Sequence, residues 1–331
     1  PFPVAAWDLQ FLYYATTLQY GTELWLTTTR ESQTAMVKDL HSGSGGSQPT
    51  FPRVCADQAG AYFVAYSTPS GWGLFRYRFT DGGIEELGPA VKNTGEMIVL
   101  GNALFLDMED DLHGHELWIY RPGETAARLF ADLWPGTEPS NPQQFFVWRD
   151  SLYFQAQTEE HGPELWKCNT MEGSAIELAD ITPGPKGGSP YGFVATDALL
   201  YFRAKDSSHG HELWMTDGTP EGTRMAFDLY PGQESSNPYN ITFLGGFLFF
   251  TADDGASGEE LWAIDCHKPM NPPTLVRDLL PGPQGAEPHN LTPISENTGI
   301  FVYKNERGDG DALMQVTVNG SEISLAAISG I

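Results

Sequence analysis

An all-β chain, folded as a seven-bladed β-propeller of four-stranded antiparallel blades, is predicted by three observations. The triplet Glu-Leu-Trp recurs at Glu23-Leu24-Trp25, Glu116-Leu117-Trp118, Glu164-Leu165-Trp166, Glu212-Leu213-Trp214 and Glu260-Leu261-Trp262. The last four copies are 48 residues apart, and the first gap, 93 residues, is about twice that. Around the triplets lie short apolar runs separated by Gly, Pro, Asn and Asp, with no helical periodicity between them. A fixed period in the forties with strand-like content marks a blade-by-blade architecture.

The fourth unit shows the elements most plainly. The turn Ser140-Asn141-Pro142 leads into a first strand at Phe145–Trp148, and Ser151–Ala156 follows as the second. A polar loop ending in His161-Gly162 precedes the triplet strand, and Ala175–Ile181 is the fourth, closed by Thr182-Pro183-Gly184. Seven such units fit the chain, with third strands centred on Leu24, Leu74, Leu117, Leu165, Leu213, Leu261 and Leu313. Gly73-Leu74-Phe75 and Ala312-Leu313-Met314 replace the triplet in the second and seventh units, but the phase is kept. The expected blades are therefore 1–45, 46–93, 94–139, 140–187, 188–235, 236–285 and 286–331, one domain over 1–331.

Side chains alternate along a strand, so the Leu and Trp of each triplet face opposite ways and are expected to pack against different neighbouring blades. A Trp between blades buries a large apolar area. In the turn Thr216-Asp217-Gly218-Thr219, Gly is expected at positive φ and Asp bonded to nearby backbone. The chain opens with Pro1–Val4 as an inner strand and closes with Ile323–Ile328 as an outer one. Both ends thus coincide with blade boundaries. Closure by side-chain packing alone, and closure helped by a flanking segment, both stand.

Composition narrows the partners. The net charge is −25, from 43 acidic and 18 basic residues, and such a surface repels nucleic acid and anionic membrane. No run of about 20 apolar residues exists, so no membrane insertion is expected. The chain starts at Pro1, which is expected of a processed product or part of a longer protein. Cys55, Cys168 and Cys266 lie in different units without metal-ligand spacing and are expected to be free thiols. Sequons stand at Asn240, Asn290 and Asn319, the first two at one repeat position. Glycosylation there and strand Thr without a glycan are the two readings.

The run from Glu212 to Thr223, with Asp228-Leu229-Tyr230-Pro231-Gly232 behind it, resembles the ELWxTDGTxxGT repeat of secreted or surface proteins, often described as hyalin-like. The resemblance covers essentially the whole chain, although only the fifth unit carries the full motif. It implies an extracellular or cell-surface location and propeller-like packing. It implies no common activity or catalytic residue.

Loops ahead of the triplet and the Asp-Leu-x-Pro-Gly turns at Asp132, Asp180, Asp228 and Asp278 are expected on one surface. Their acids, with Asp107, Glu109, Asp111, Asp309 and Asp311 foremost, are candidate Ca²⁺ ligands, since Ca²⁺ takes six to eight oxygens. Solvated carboxylates are the competing reading, and no other cofactor is expected. His113, His161 and His209 recur at one repeat position and are expected to serve the blade, as are the triplet Glu, capping loop amides, and the turn Asp. An active site would instead use residues that break the symmetry: His115 and His211 as acid or base, with Tyr66 and Arg76 of the degenerate second unit.

The favoured expectation is a non-enzymatic structural or adhesive module of an extracellular assembly, associating with itself or with other surface proteins, and with glycans. A propeller-fold polysaccharide lyase or hydrolase, and a lectin, are the alternatives.

Overall fold

The computed structural model describes residues 3–7, 10–28, 33–42, 44–47, 56–57, 60–67, 71–88, 94–171, 173–305 and 310–328. Among them there is no helix, and every strand belongs to one of seven four-stranded sheets, each a meander in chain order. The first sheet is β1 (Pro3–Trp7), β2 (Gln10–Thr17), β3 (Gly21–Thr28) and β4 (Gln33–Met36). The second is β5 (Ala56–Asp57), β6 (Gly60–Ser67), β7 (Gly71–Arg78) and β8 (Ile84–Glu86). The third is β9 (Thr94–Leu100), β10 (Ala103–Asp110), β11 (Gly114–Tyr120) and β12 (Arg128–Ala131). The fourth is β13 (Gln143–Trp148), β14 (Ser151–Ala156), β15 (Glu164–Cys168) and β16 (Ile176–Ala179). The fifth is β17 (Tyr191–Ala195), β18 (Leu200–Lys205), β19 (His211–Thr216) and β20 (Arg224–Phe227). The sixth is β21 (Tyr239–Leu244), β22 (Phe247–Asp253), β23 (Glu259–Asp265) and β24 (Thr274–Arg277). The seventh is β25 (His289–Ser295), β26 (Thr298–Lys304), β27 (Asp311–Asn319) and β28 (Glu322–Ile328). Every expected third-strand Leu is on the third strand of its sheet.

The chain divides into two compact units, Pro1–Thr158 with Lys167–Ile176, and Glu159–Trp166 with Glu177–Ile331. Sheets one to three belong to the first and sheets five to seven to the second. Within each unit the triplet works as its alternation predicts. Leu213 of the fifth sheet shares a buried cluster with Trp262 of the sixth, while Leu261 packs with Phe301, Met314 and Val316 of the seventh. In the first unit Leu24 packs with Phe63 and Phe75, and Leu74 with Leu104 and Leu106, against which Trp118 rests. Leu thus faces the next sheet and Trp the previous one. The indole N–H groups of Trp25 and Trp262 donate to the carbonyls of Ala15 (3.2 Å) and Ala252 (3.1 Å).

Two irregularities recur that the alternation does not announce. Pairing with the fourth strand shifts by one residue between Leu and Trp at 117/118, 213/214 and 261/262. The first strand bulges three residues after a left-handed residue-Pro pair: Asn141, Ser189, Asn237 and Glu287 have φ of 49°, 51°, 47° and 47°. Inside those bulges Asn240 and Asn290 are also left-handed, at φ 52° and 57°. Asn tolerates that conformation better than most residues, which gives these two sequon positions a backbone role of their own. Asn319 is exposed at the end of β27, just ahead of a turn. The Asp-Gly-Thr turn is as expected: Gly218 has φ 95°, and Asp217 Oδ1 accepts from the Thr219 amide at 2.9 Å.

The triplet Glu is among the least exposed polar residues of the repeat. Glu23, Glu116, Glu164, Glu212 and Glu260 all have zero exposure. Each carboxylate accepts from the amide of a residue 24 or 26 positions later: Ser47 (2.7 Å), Ser140 (3.1 Å), Gly188 (2.8 Å), Ser236 (2.7 Å) and Ala286 (3.0 Å). The last four lie three residues ahead of the next sheet's first strand. Where that residue is Ser, its hydroxyl donates as well, at 2.5 Å to Glu23, 2.7 Å to Glu116 and 2.5 Å to Glu212. The same carboxylates also accept amides of the Asp-Leu-x-Pro-Gly turn, from Leu133, Ile181, Thr182, Leu229 and Leu280. One buried side chain therefore gathers the end of its own sheet and the beginning of the next. Gly73 and Ala312 stand in its place in the second and seventh sheets.

Candidate functional site

The loop ahead of each triplet and the turn after each fourth strand do meet. In the fourth repeat the amide of Gly162 donates to the carbonyl of Gly184 at 3.0 Å, and in the fifth Gly210 donates to Gly232 at 3.3 Å. A Cβ on Gly162 would lie 2.6 Å from the Gly187 amide nitrogen, so the glycine after His is demanded by the returning chain.

On this surface the recurrent histidines are bracketed by carboxylates. His161 places Nδ1 3.0 Å from Glu177 and Nε2 3.7 Å from Asp180. His209 stands 2.9 Å from Asp206 and 3.8 Å from Asp228, and His113 lies 2.9 Å from Asp110. Those partners raise all three imidazoles above their usual range. His161, Glu177 and Asp180 offer ligand atoms within 4.8 Å of one another, a set that would suit a divalent metal. Glu177 was not among the expected ligands. Because His209 keeps the contact to the turn Asp in the fifth repeat, and His113 a bond to a carboxylate of its own loop in the third, these histidines serve the loops first.

Of the expected Ca²⁺ ligands, Asp107 and Glu109 flank His115, 3.0 Å from Nδ1 and 3.7 Å from Nε2, and burial raises the Asp107 carboxyl. Asp111 is an exposed turn residue, Asp311 begins β27 opposite Lys304, and Asp309 lies outside the described residues. Tyr66 and Arg76 share a face of the second sheet but not a site. Tyr66 pairs with Trp72 across the strands and packs edge-on to it and to His41, whereas Arg76 pairs with Tyr62 four residues further along β7. At about 3.3 Å per residue that is roughly 13 Å. Cys168 and Cys266 form no disulfide among the described residues, and Cys55 lies outside them.

His115 and His211 occupy one repeat position in opposite surroundings. The bond to Asp107 raises His115 above its usual range, against the effect of burial. Burial, then the charges of Arg203 and Lys205, push His211 down to about 4. Its Nδ1 is buried without a hydrogen-bond partner among the described residues. Arg203 and Lys205 stand where the third repeat has Asp107 and Glu109, a change of sign that a reading centred on acidic loops passes over.

Burial also pushes Glu116, Glu164 and Glu260 up to about 7, against the pull of the amides they accept. These glutamates bind protons in the folded state at a pH where the unfolded chain, near 4.5, does not. Stability is therefore gained as pH falls from about 7 toward 4.5, and is lost on the way up. The raised His113, His161 and His209 act in the same direction: their contribution is present below 6.5 and lost as pH rises through the folded values. His211 opposes this below 6.5. Denaturant unfolding at constant ionic strength is expected to show greater stability at pH 6 than at pH 8, by about 1 kcal/mol over that interval for each titrating glutamate.

No protein-family model matches the chain, and no curated protein sequence matches it. Among solved structures it is similar to a prolyl endopeptidase, with 13% identity and a TM-score of 0.59 over 99% of this chain and 49% of that one. It is similar also to a puromycin-hydrolyzing peptidase of Mycobacterium tuberculosis, with 11% identity and a TM-score of 0.53 over 98% and 52%. The chain spans about half the length of either peptidase. At such identities the likeness speaks to fold alone, and the fold is all-β and of the β-propeller kind.

Proposed function

We propose that the chain closes into a seven-bladed propeller and works, outside the cell or at its surface, as a non-enzymatic structural or adhesive module of a larger assembly. The observation that carries this reading is the fate of the recurrent ionisable groups. Each triplet Glu is consumed in joining one sheet to the next, and each recurrent His in binding carboxylates of its own loop, of the fourth strand or of the turn. The chemistry repeated most often is thus spent on architecture. The acidic surface, the sequons and the resemblance to secreted repeat proteins support the location. Seven four-stranded sheets in series support the blade count.

The test is incubation of the purified protein with uronic-acid polymers and prolyl peptides, beside a measurement of its assembly by light scattering. No turnover, with association into larger species, is expected. Cleavage of either substrate class would overturn the non-enzymatic reading.

A further inference from the structure

One face of the fifth sheet carries cations that no carboxylate among the described residues meets. Arg203 and Lys205 are two apart on β18 and so share a face. Tyr191 pairs directly with Arg203, and His211 directly with Lys205, which brings all four to that face. Arg203, Lys205 and His211 are half-buried, and the Tyr191 ring is 55% exposed. Among the described residues neither cation has a carboxylate partner, in a chain with 43 acidic residues. Elsewhere Arg78 meets Asp81 and Glu85, Arg121 and Arg128 meet Glu124, and Lys268 meets Asp265.

We propose that Tyr191, Arg203, Lys205 and His211 form a site for the carboxylate of an acidic sugar. Partly desolvated cations are costly unless an anion compensates them. A guanidinium matches a carboxylate through two parallel N–H bonds, and the lysine adds a point charge. The imidazole, kept uncharged by its surroundings, leaves the two cations as the charges of the group. The exposed Tyr191 ring gives the flat apolar face on which a pyranose can lie. The third repeat shows what the site replaces: with Asp107 and Glu109 at these positions the imidazole is satisfied internally.

This inference is independent of the adhesive reading. The test is calorimetric titration of the whole chain with glucuronate and short uronate oligomers, with glucose, acetate and an acidic peptide as the other arms. Binding of uronates but not glucose is expected. Arg203→Ala and Lys205→Ala should each weaken it by roughly tenfold, and Tyr191→Ala should reduce uronate binding toward that of acetate. Bound carboxylate should also raise the His211 pKa, read from its ring proton shifts. Unfolding curves verify that the variants fold, and Arg203→Lys, which keeps the charge, should retain part of the affinity. Absence of uronate binding by the wild type, or binding indifferent to Arg203 and Lys205, would overturn the site. Equal binding of the acidic peptide would overturn its assignment to a sugar. Turnover of the oligomers would support the site while sinking the non-enzymatic reading.

Discussion

Glu116→Ala is expected to lower the unfolding free energy by about 3–5 kcal/mol, one of the largest effects of any single substitution in the chain. The side chain has zero exposure and accepts from the amides of Leu133 (2.8 Å), Trp134 (3.3 Å) and Ser140 (3.1 Å) and from the Ser140 hydroxyl (2.7 Å). Truncation leaves these donors without an acceptor, and each buried unsatisfied donor costs about 1–3 kcal/mol, less whatever a water entering the space restores. Glu116→Gln is expected to do little better than halve the loss, because its amide nitrogen would point donors at donors. Glu160→Ala, at an exposed loop position, should change stability by no more than about 0.5 kcal/mol. Urea unfolding of the three variants reads the comparison directly.

Trp262→Ala should cost about 3–5 kcal/mol by a different route. Its ring is 7% exposed and packs with Tyr201, Leu213 and Met215 of the preceding sheet, as well as with Leu248 and Phe250 of its own. The indole N–H bond to Ala252 is lost with it. A double-mutant cycle separates packing between sheets from packing within one. Trp262 and Leu213, in one cluster, should show a coupling of 0.5 kcal/mol or more, about the level expected of residues in contact. Leu213 and Leu261, in different clusters, should add. Additivity of the first pair, with coupling of Trp214 to Leu261 in its place, would reverse the assignment of the two triplet faces.

Much of the fold was legible because the triplet fixes a strand, its register and its two faces at once. Leu24, Leu74, Leu117, Leu165, Leu213, Leu261 and Leu313 each mark a third strand. The bulges were not legible, because they depend on left-handed residues such as Gln144 and Asn240, whose identities vary from repeat to repeat. The structural role of the triplet Glu could be foreseen, but its partners could not. A signal existed: Ser47, Ser140 and Ser236 each follow a triplet Glu by 24 residues.

The site was read less well. His211 breaks the symmetry in its surroundings rather than its identity, so the sequence marks it and His115 alike. What separates them is two positions on the neighbouring strand, Asp107 and Glu109 against Arg203 and Lys205, visible only once register is known. Tyr66 and Arg76 looked like a group because they are near in sequence. Strand extension carries them apart.

Amide hydrogen exchange at Ser140, Gly188, Ser236 and Ala286 tests the latch most directly. These amides precede strands in loop segments, yet each donates to a buried carboxylate. They should exchange as slowly as the interior amides of β14, β18 and β22, and Glu212→Gln should release Ser236 more than the others. Exchange as fast as in the exposed turns would mean that the glutamates do not hold successive sheets together.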